Sequence, residues 1–307
     1  MNLSVQLAPK NRRGLLLANP VMMASGTFGY GTEYSHPFDI QQLGAIVTKG
    51  TTLFPRDGNA QPRLTETVGG LLNSIGLQNI GAKALIKEKA PIWADWRLPV
   101  IVNIAGETTS DYSKLASMLD RVVGISGLEV NISCPNIKAG GVEFGADPRS
   151  TATVVAAVRA ATSLPLLIKL TPNTGDIVEV AAAAARAGAD GLSLINTLKG
   201  MAIDINKRRP SLGNITGGLS GPAIKPVALS MVYEVASSVD LPIVGCGGIT
   251  CASDAIEFIM AGASAVQIGT ASFANPQAPL DILEGIGKFM IKEGIEDIAE
   301  LIGIARC

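Results

Sequence analysis

Eight short apolar runs, each closing on polar residues or glycine, constrain the fold of this chain more than any other feature. They are Pro20 to Ala24, Ala45 to Thr48, Pro99 to Asn103, Leu128 to Ser133, Pro165 to Lys169, Gly191 to Asn196, Pro242 to Cys246 and Ala265 to Ile268. Short, uninterrupted apolar runs are typical of strands buried on both faces, as in a parallel sheet. Helical periodicity separates the later runs. Asp111 to Val123 carries Leu115, Met118, Leu119 and Val122 on one face. Ser150 to Thr162, Asp176 to Ala187, Pro222 to Ser238, Ala252 to Ala261 and Leu280 to Glu293 also read as helices, two of them stopping at Gly188 and Gly262. Strands alternating with helices build right-handed βαβ units and a parallel sheet. Eight units predict an α/β fold, a closed (β/α)8 TIM barrel. An open dinucleotide-binding sheet would place G-x-G-x-x-G after its first strand, and Ala24-Ser25-Gly26-Thr27-Phe28-Gly29 lacks it. The 307 residues suit one such barrel and show no linker, so a single domain, 1–307, is expected. Thr51 to Ile92 and Thr197 to Gly221 exceed a minimal barrel and predict long loops over the C-terminal face.

Composition removes several function classes. A net charge of -1 and 4% aromatic residues argue against a nucleic-acid partner. No apolar stretch reaches the roughly 18 residues of a membrane span, so no membrane association is expected. Asn19-Pro20 interrupts the one early apolar run, which argues against a signal peptide. Four cysteines without a C-x-x-C pair, and one histidine, His36, argue against a metal or iron–sulfur site in this chain. Free thiols suit a reducing, cytoplasmic location.

In a barrel, the C-terminal strand ends converge on one face. Here they bring Ser25 and Gly26, Lys49, Asn103, Asn131 with Cys134, Lys169, Asn196 with Thr197, Gly247-Gly248 and Gly269-Thr270. This set is rich in amides and lysine, with no acid and no histidine. It excludes a two-carboxylate glycosidase, a Ser-His-Asp hydrolase and a metal hydrolase. It suits a planar, hydrogen-bonding, anionic ligand. Gly245-Cys246-Gly247-Gly248-Ile249 before a helix, and Ile268-Gly269-Thr270, form the pair of turns that barrels use after strands seven and eight to hold phosphate. Tight turns alone would also require those glycines. Lys49 and Lys169 close buried strands, where a cation needs an anionic or polar partner. Cys134 follows a strand end. A cysteine there is either a small packed hydrophobe or a base that works as a thiolate. Cys246 and Cys251 read as packing residues.

Several motifs together resemble the dihydroorotate dehydrogenase family. They are Asn131-Ile132-Ser133-Cys134-Pro135-Asn136, Asn73-Ser74-Ile75-Gly76-Leu77-Gln78-Asn79, Thr48-Lys49-Gly50, Asn196-Thr197 and Gly247-Gly248-Ile249. The resemblance spans about Leu3 to Gly303 and implies an FMN-holding (β/α)8 barrel. The runs Gly200 to Ile205 and Thr216 to Pro222 are similar to the soluble, NAD-linked type, whose barrel chain works with a partner subunit carrying FAD and a 2Fe-2S cluster. That type is expected as a homodimer core in a heterotetramer. By resemblance, Cys134 removes the C5 proton of dihydroorotate while a hydride passes from C6 to FMN, forming orotate in pyrimidine biosynthesis. Lys49, Asn73, Ser74, Ile75, Gly76, Leu77, Asn131, Asn196 and Thr197 would hold the substrate. Ser25, Lys49, Gly50, Asn103, Asn131, Lys169, Ile195 and Gly221 would contact FMN. Gly247, Gly248, Gly269 and Thr270 would bind its phosphate. A fumarate-linked enzyme, a relative acting on another dihydropyrimidine, and a non-redox barrel for a phosphate ligand are the rival readings.

Overall fold

The structure is a computed structural model and describes residues 1–34, 38–133, 135–136 and 142–306. Cys134, His36 and Cys307 lie outside the described residues. Eight parallel strands close into a barrel: β1 Val21–Met23, β2 Ala45–Val47, β3 Val100–Ile104, β4 Gly127–Asn131, β5 Leu166–Lys169, β6 Gly191–Leu194, β7 Ile243–Cys246 and β8 Ala265–Ile268. Each pairs with its neighbour in sequence, and β8 returns to β1 through Val266↔Val21, Gln267↔Met22 and Ile268↔Met23. The eight predicted runs are these eight strands. Their side chains are almost all buried because the lumen covers one face and helices cover the other.

The helices follow from local chemistry. Thr108 caps Thr109–Leu119 in a reciprocal box with Asp111, and Tyr112, Leu115, Ala116 and Leu119 form its buried stripe. Asp176 accepts the Val178 and Glu179 N–H groups at the start of Ile177–Arg186. Pro148–Ala161, Lys225–Ala236, Ala252–Ala261 and Ala278–Glu293 complete the outer layer. No helix among the described residues is long and apolar enough to cross a membrane.

The two long insertions are more ordered than loops. Leu64–Thr67 and Gly70–Asn73 form a hairpin, and Thr216–Ser220 and Leu198–Met201 extend it to a four-stranded antiparallel sheet. A helical stretch, Gly81–Ala84, Leu85–Lys89 and Ala90–Trp93, with a π turn at its centre, closes the first insertion and ends one residue past Ile92. The sheet escaped the sequence reading for physical reasons. Its strands are half-exposed and short, and Thr216–Ser220 contains two adjacent glycines, which usually weaken strands. Here glycine allows close approach. A Cβ on Gly218 would stand 2.0 Å from Thr197 Oγ1, and one on Gly217 would stand 2.5 Å from the Asn73 carbonyl oxygen.

Candidate active site

The C-terminal ends of the barrel strands and the inserted sheet enclose a cavity of about 640 Å³. Every described residue that the sequence singled out for cofactor or substrate lines it. Cys134 follows Ser133, which does line it, but is itself outside the described residues.

Beyond the glycine turn that follows β7, the Thr250 and Cys251 N–H groups both donate to Asp254 Oδ2, at 2.8 and 3.2 Å. Asp254 Oδ1 accepts from Lys225 Nζ at 2.6 Å. Burial works against the Asp254 charge, but Lys225 and the Thr250 and Cys251 donors outweigh it and hold the carboxyl well below its ordinary value. The ion pair braces the glycine turn from behind. The donors left for an anion are backbone N–H groups of Gly247, Gly248, Gly269 and Thr270, which take no acceptor among the described residues. Cys251 is exposed at a helix start and so is not the packing residue expected, while Cys246 is half-buried and lines the cavity.

At the opposite side, the amides are tied to one another. Asn196 Nδ2 donates to Ser133 Oγ at 2.9 Å and Asn131 Oδ1 at 3.3 Å, and its Oδ1 accepts the Thr197 N–H at 2.8 Å. Tyr112 O–H donates to the Asn131 carbonyl at 2.6 Å, fixing the end of β4. Asn73 Nδ2 reaches the Gly218 carbonyl at 3.2 Å. Asn79 pins the loop after Asn73: it donates to the Leu77 carbonyl and Thr52 Oγ1 and accepts from Thr52 N and Gly81 N. Leu77 keeps a φ of 54° within that frame.

Lys49 is half-buried at the end of β2, and burial pushes its ammonium below the ordinary lysine value, with Glu33 opposing the shift and Arg63 adding to it. Lys169 sits deeper, 4% exposed, with Nζ donating to Gln267 Oε1 at 2.7 Å. Below it lies Glu129, 0% exposed. The strand ends themselves carry no acid, but two acids stand next to them. Glu107 lines the cavity in an ion pair with Arg56 at 2.9 Å. Glu129 lies one layer beneath. Its signal in the sequence is a charged residue inside the apolar run Gly127–Asn131, as Gln267 is inside Ala265–Ile268. Two polar atoms on the cavity wall, Thr27 Oγ1 and Asn103 Oδ1, are buried without a partner among the described residues. Orphaned atoms of this kind are costly unless a ligand satisfies them.

Fold and site define a (β/α)8 barrel built for a planar, polar ligand carrying an anionic group. Comparison with known proteins makes the class specific. The family model described as Dihydroorotate dehydrogenase matches residues 8–290. The chain is 57% identical over 302 residues to a Geotalea daltonii protein, covering 98% of this chain and 97% of that one. It is 58% identical over 289 residues to one from Trichlorobacter lovleyi, covering 94% and 95%. It is 55% identical over 305 residues to one from Desulforamulus reducens, covering 99% of each. All three relatives carry the name dihydroorotate dehydrogenase B (NAD(+)), catalytic subunit. The chain belongs to the dihydroorotate dehydrogenase family.

Proposed function

We propose that this chain is the catalytic subunit of an NAD-linked dihydroorotate dehydrogenase, oxidising dihydroorotate to orotate for pyrimidine synthesis. The observation that carries the reading is that one cavity joins two glycine turns, two lysines and three strand-end asparagines. FMN fits that donor set. Gly247, Gly248, Gly269 and Thr270 would hold its phosphate, and Ser25, Lys49, Gly50, Asn103, Asn131, Lys169, Ile195 and Gly221 its ring and ribityl chain. The orphaned Asn103 Oδ1 is an acceptor for a ring N–H. When bound, FMN supplies the acceptor for the hydride lost from C6 of the substrate.

The chain's own residues would do the rest. Lys49 would attract the substrate carboxylate. Asn73, Ser74, Ile75, Gly76, Leu77, Asn131, Asn196 and Thr197 would match the carbonyl and N–H edges of the pyrimidine. The inserted sheet would exclude water, and Cys134 would take the C5 proton. Electrons would leave through a partner subunit bearing FAD and a 2Fe-2S cluster, around a homodimer of this chain in the cytoplasm. The exposed Phe54, Val68, Ile203, Ile205 and Ile215 on the two insertions suit subunit contacts.

The test is the absorbance spectrum of purified protein. A yellow protein bleached by dihydroorotate is expected, with turnover on NAD requiring the partner subunit. A colourless protein that does not take up FMN would sink the flavin reading, and turnover with fumarate alone would sink the NAD-linked one. The phosphate corner has its own test. Gly248 has a φ of 74°, and an added Cβ would lie 2.8 Å from the Lys225 backbone nitrogen and 2.9 Å from the Gly221 carbonyl oxygen. Gly248→Ala is expected to weaken FMN roughly 10- to 100-fold, from about 1–3 kcal/mol of backbone strain placed on the turn. Riboflavin, which lacks the phosphate, should be affected less in parallel fluorescence titrations.

A further inference from the structure

The floor of the cavity is made of polar side chains where a barrel usually stacks apolar ones. Glu129 comes from β4, Ser193 from β6 and Gln267 from β8. These strands are not neighbours, so side chains that meet from them cross the lumen. Glu129 Oε2 accepts from Ser193 Oγ at 2.9 Å and from Gln267 Nε2 at 2.7 Å. Its Oε1 accepts from Asn103 Nδ2 at 2.7 Å. Three donors on one buried carboxylate meet the requirement that a buried charge be paired.

A carboxylate accepts and has no proton to donate. That one-sidedness propagates upward. Asn103 must turn Nδ2 down to Glu129, so Oδ1 is left over, buried and without a partner among the described residues. Gly50 stands beside that oxygen: a Cβ added there would lie 3.1 Å from it. Gln267 must also turn Nε2 to Glu129, so its Oε1 meets the Lys169 ammonium. Were the Gln267 amide reversed, an N–H group would face the ammonium and Lys169 would lose its anchor.

We propose that Glu129 is a positioning residue that sets the polarity of the cavity floor, fixing Asn103 as an acceptor for a ring N–H and, through Gln267, fixing Lys169 as a cation facing the same ligand. The inference rests on the flavin reading above. An isoalloxazine ring, with an N–H between two carbonyls, needs such an acceptor and such a cation.

The experiment uses the FMN-loaded protein and three variants, Glu129→Gln, Glu129→Asp and Gln267→Met. It reads the FMN dissociation constant by fluorescence and the midpoint potential of the bound flavin. Glu129→Gln introduces a donor among three donors and removes a negative charge. FMN should bind roughly 10- to 100-fold more weakly, since hydrogen bonds to charged groups are involved. The new amide oxygen still accepts from Gln267, so Lys169 stays anchored, while its N–H₂ group turns toward Asn103. The midpoint potential of the flavin should rise, because the negative charge one layer beneath the cofactor is gone. Glu129→Asp keeps the acceptor and should restore most of the potential. Gln267→Met keeps the volume and the Glu129 charge but frees Lys169, so the potential should fall. Opposite shifts are not produced by general loosening of the core. Wild-type affinity and potential in both Glu129→Gln and Gln267→Met would overturn the proposal. If Glu129→Gln does not fold, Gln267→Met decides: a lowered potential supports it, an unchanged one overturns it. A wild type that does not take up FMN removes the flavin reading, and the proposal with it.

Discussion

Replacing Cys134 by alanine is expected to leave an intact yellow protein whose bleaching by dihydroorotate is slower by about 10²- to 10⁴-fold, the range a positioned general base contributes. The cavity explains the size of the effect by what else it offers. Among the described residues that line it there is no histidine and no aspartate. Glu107 is the one carboxylate on the wall, and its charge is paired with Arg56. Lys49 and Lys169 are cations suited to holding an anion. Ser133 Oγ already accepts from Asn196 Nδ2. Among the described residues, no other group stands ready to take a carbon-bound proton once Cys134 is removed. A thiolate is the active form, so the wild-type bleaching rate should rise with pH as a thiol ionises and then level off. The alanine variant should lose that rise. The check is stopped-flow absorbance of the FMN-loaded protein across a pH series. Bleaching at the wild-type rate in Cys134→Ala would transfer the proton step to another residue.

The barrel was legible in the sequence because its strands carry their own signal. A strand buried on both faces reads as a near-continuous apolar run, and that run stops where the site begins. The eight runs therefore named both the fold and the ring of residues that lines the cavity. What was not legible depends on contacts between distant residues. Asn73 and Gly218 are 145 residues apart and pair across the inserted sheet. Nothing local in Thr216-Gly217-Gly218-Leu219 predicts a strand, because its glycines serve the neighbours they admit. What braces the glycine turn was not legible for a related reason. The glycine turn is visible in sequence, but that Asp254 takes the Thr250 and Cys251 N–H groups depends on how the first turn of Ala252–Ala261 folds back. Glu129 was passed over because it lies inside a run that ends in more conspicuous residues. Its role emerges only when β4, β6 and β8 are seen to face one lumen.

Lys49→Met is expected to cost roughly 10- to 150-fold in orotate affinity, the equivalent of about 1.5–3 kcal/mol for a hydrogen bond to a charged group, and less in FMN affinity. The phosphate corner and Lys169, which would hold most of the cofactor, are untouched by the change. The backbone of Lys49 is fixed independently of its side chain: its N–H donates to the Gly29 carbonyl at 2.7 Å, and its carbonyl accepts from Thr48 and Thr51 hydroxyls. Methionine keeps the unbranched body and removes only the charge. Titrating orotate against the flavin absorbance measures the loss, and unchanged orotate affinity would return Lys49 to a packing role. The pH dependence follows from the direction of its shift. Burial lowers the Lys49 value from 10.5, and an anionic ligand requires the charged form. Orotate affinity should therefore be full below the lowered value and fall as pH rises through it, earlier than for an exposed lysine. The methionine variant should lack that decline. Folding linkage has the opposite sign. With the folded value below the unfolded one, the unfolded chain binds more protons between them, so the desolvation penalty is fully present at neutral pH and relieved only at high pH. Lys49→Met should consequently raise the melting temperature of the cofactor-free protein at neutral pH while weakening orotate. A side chain whose removal stabilises the fold and impairs the ligand is one maintained by binding, not by packing.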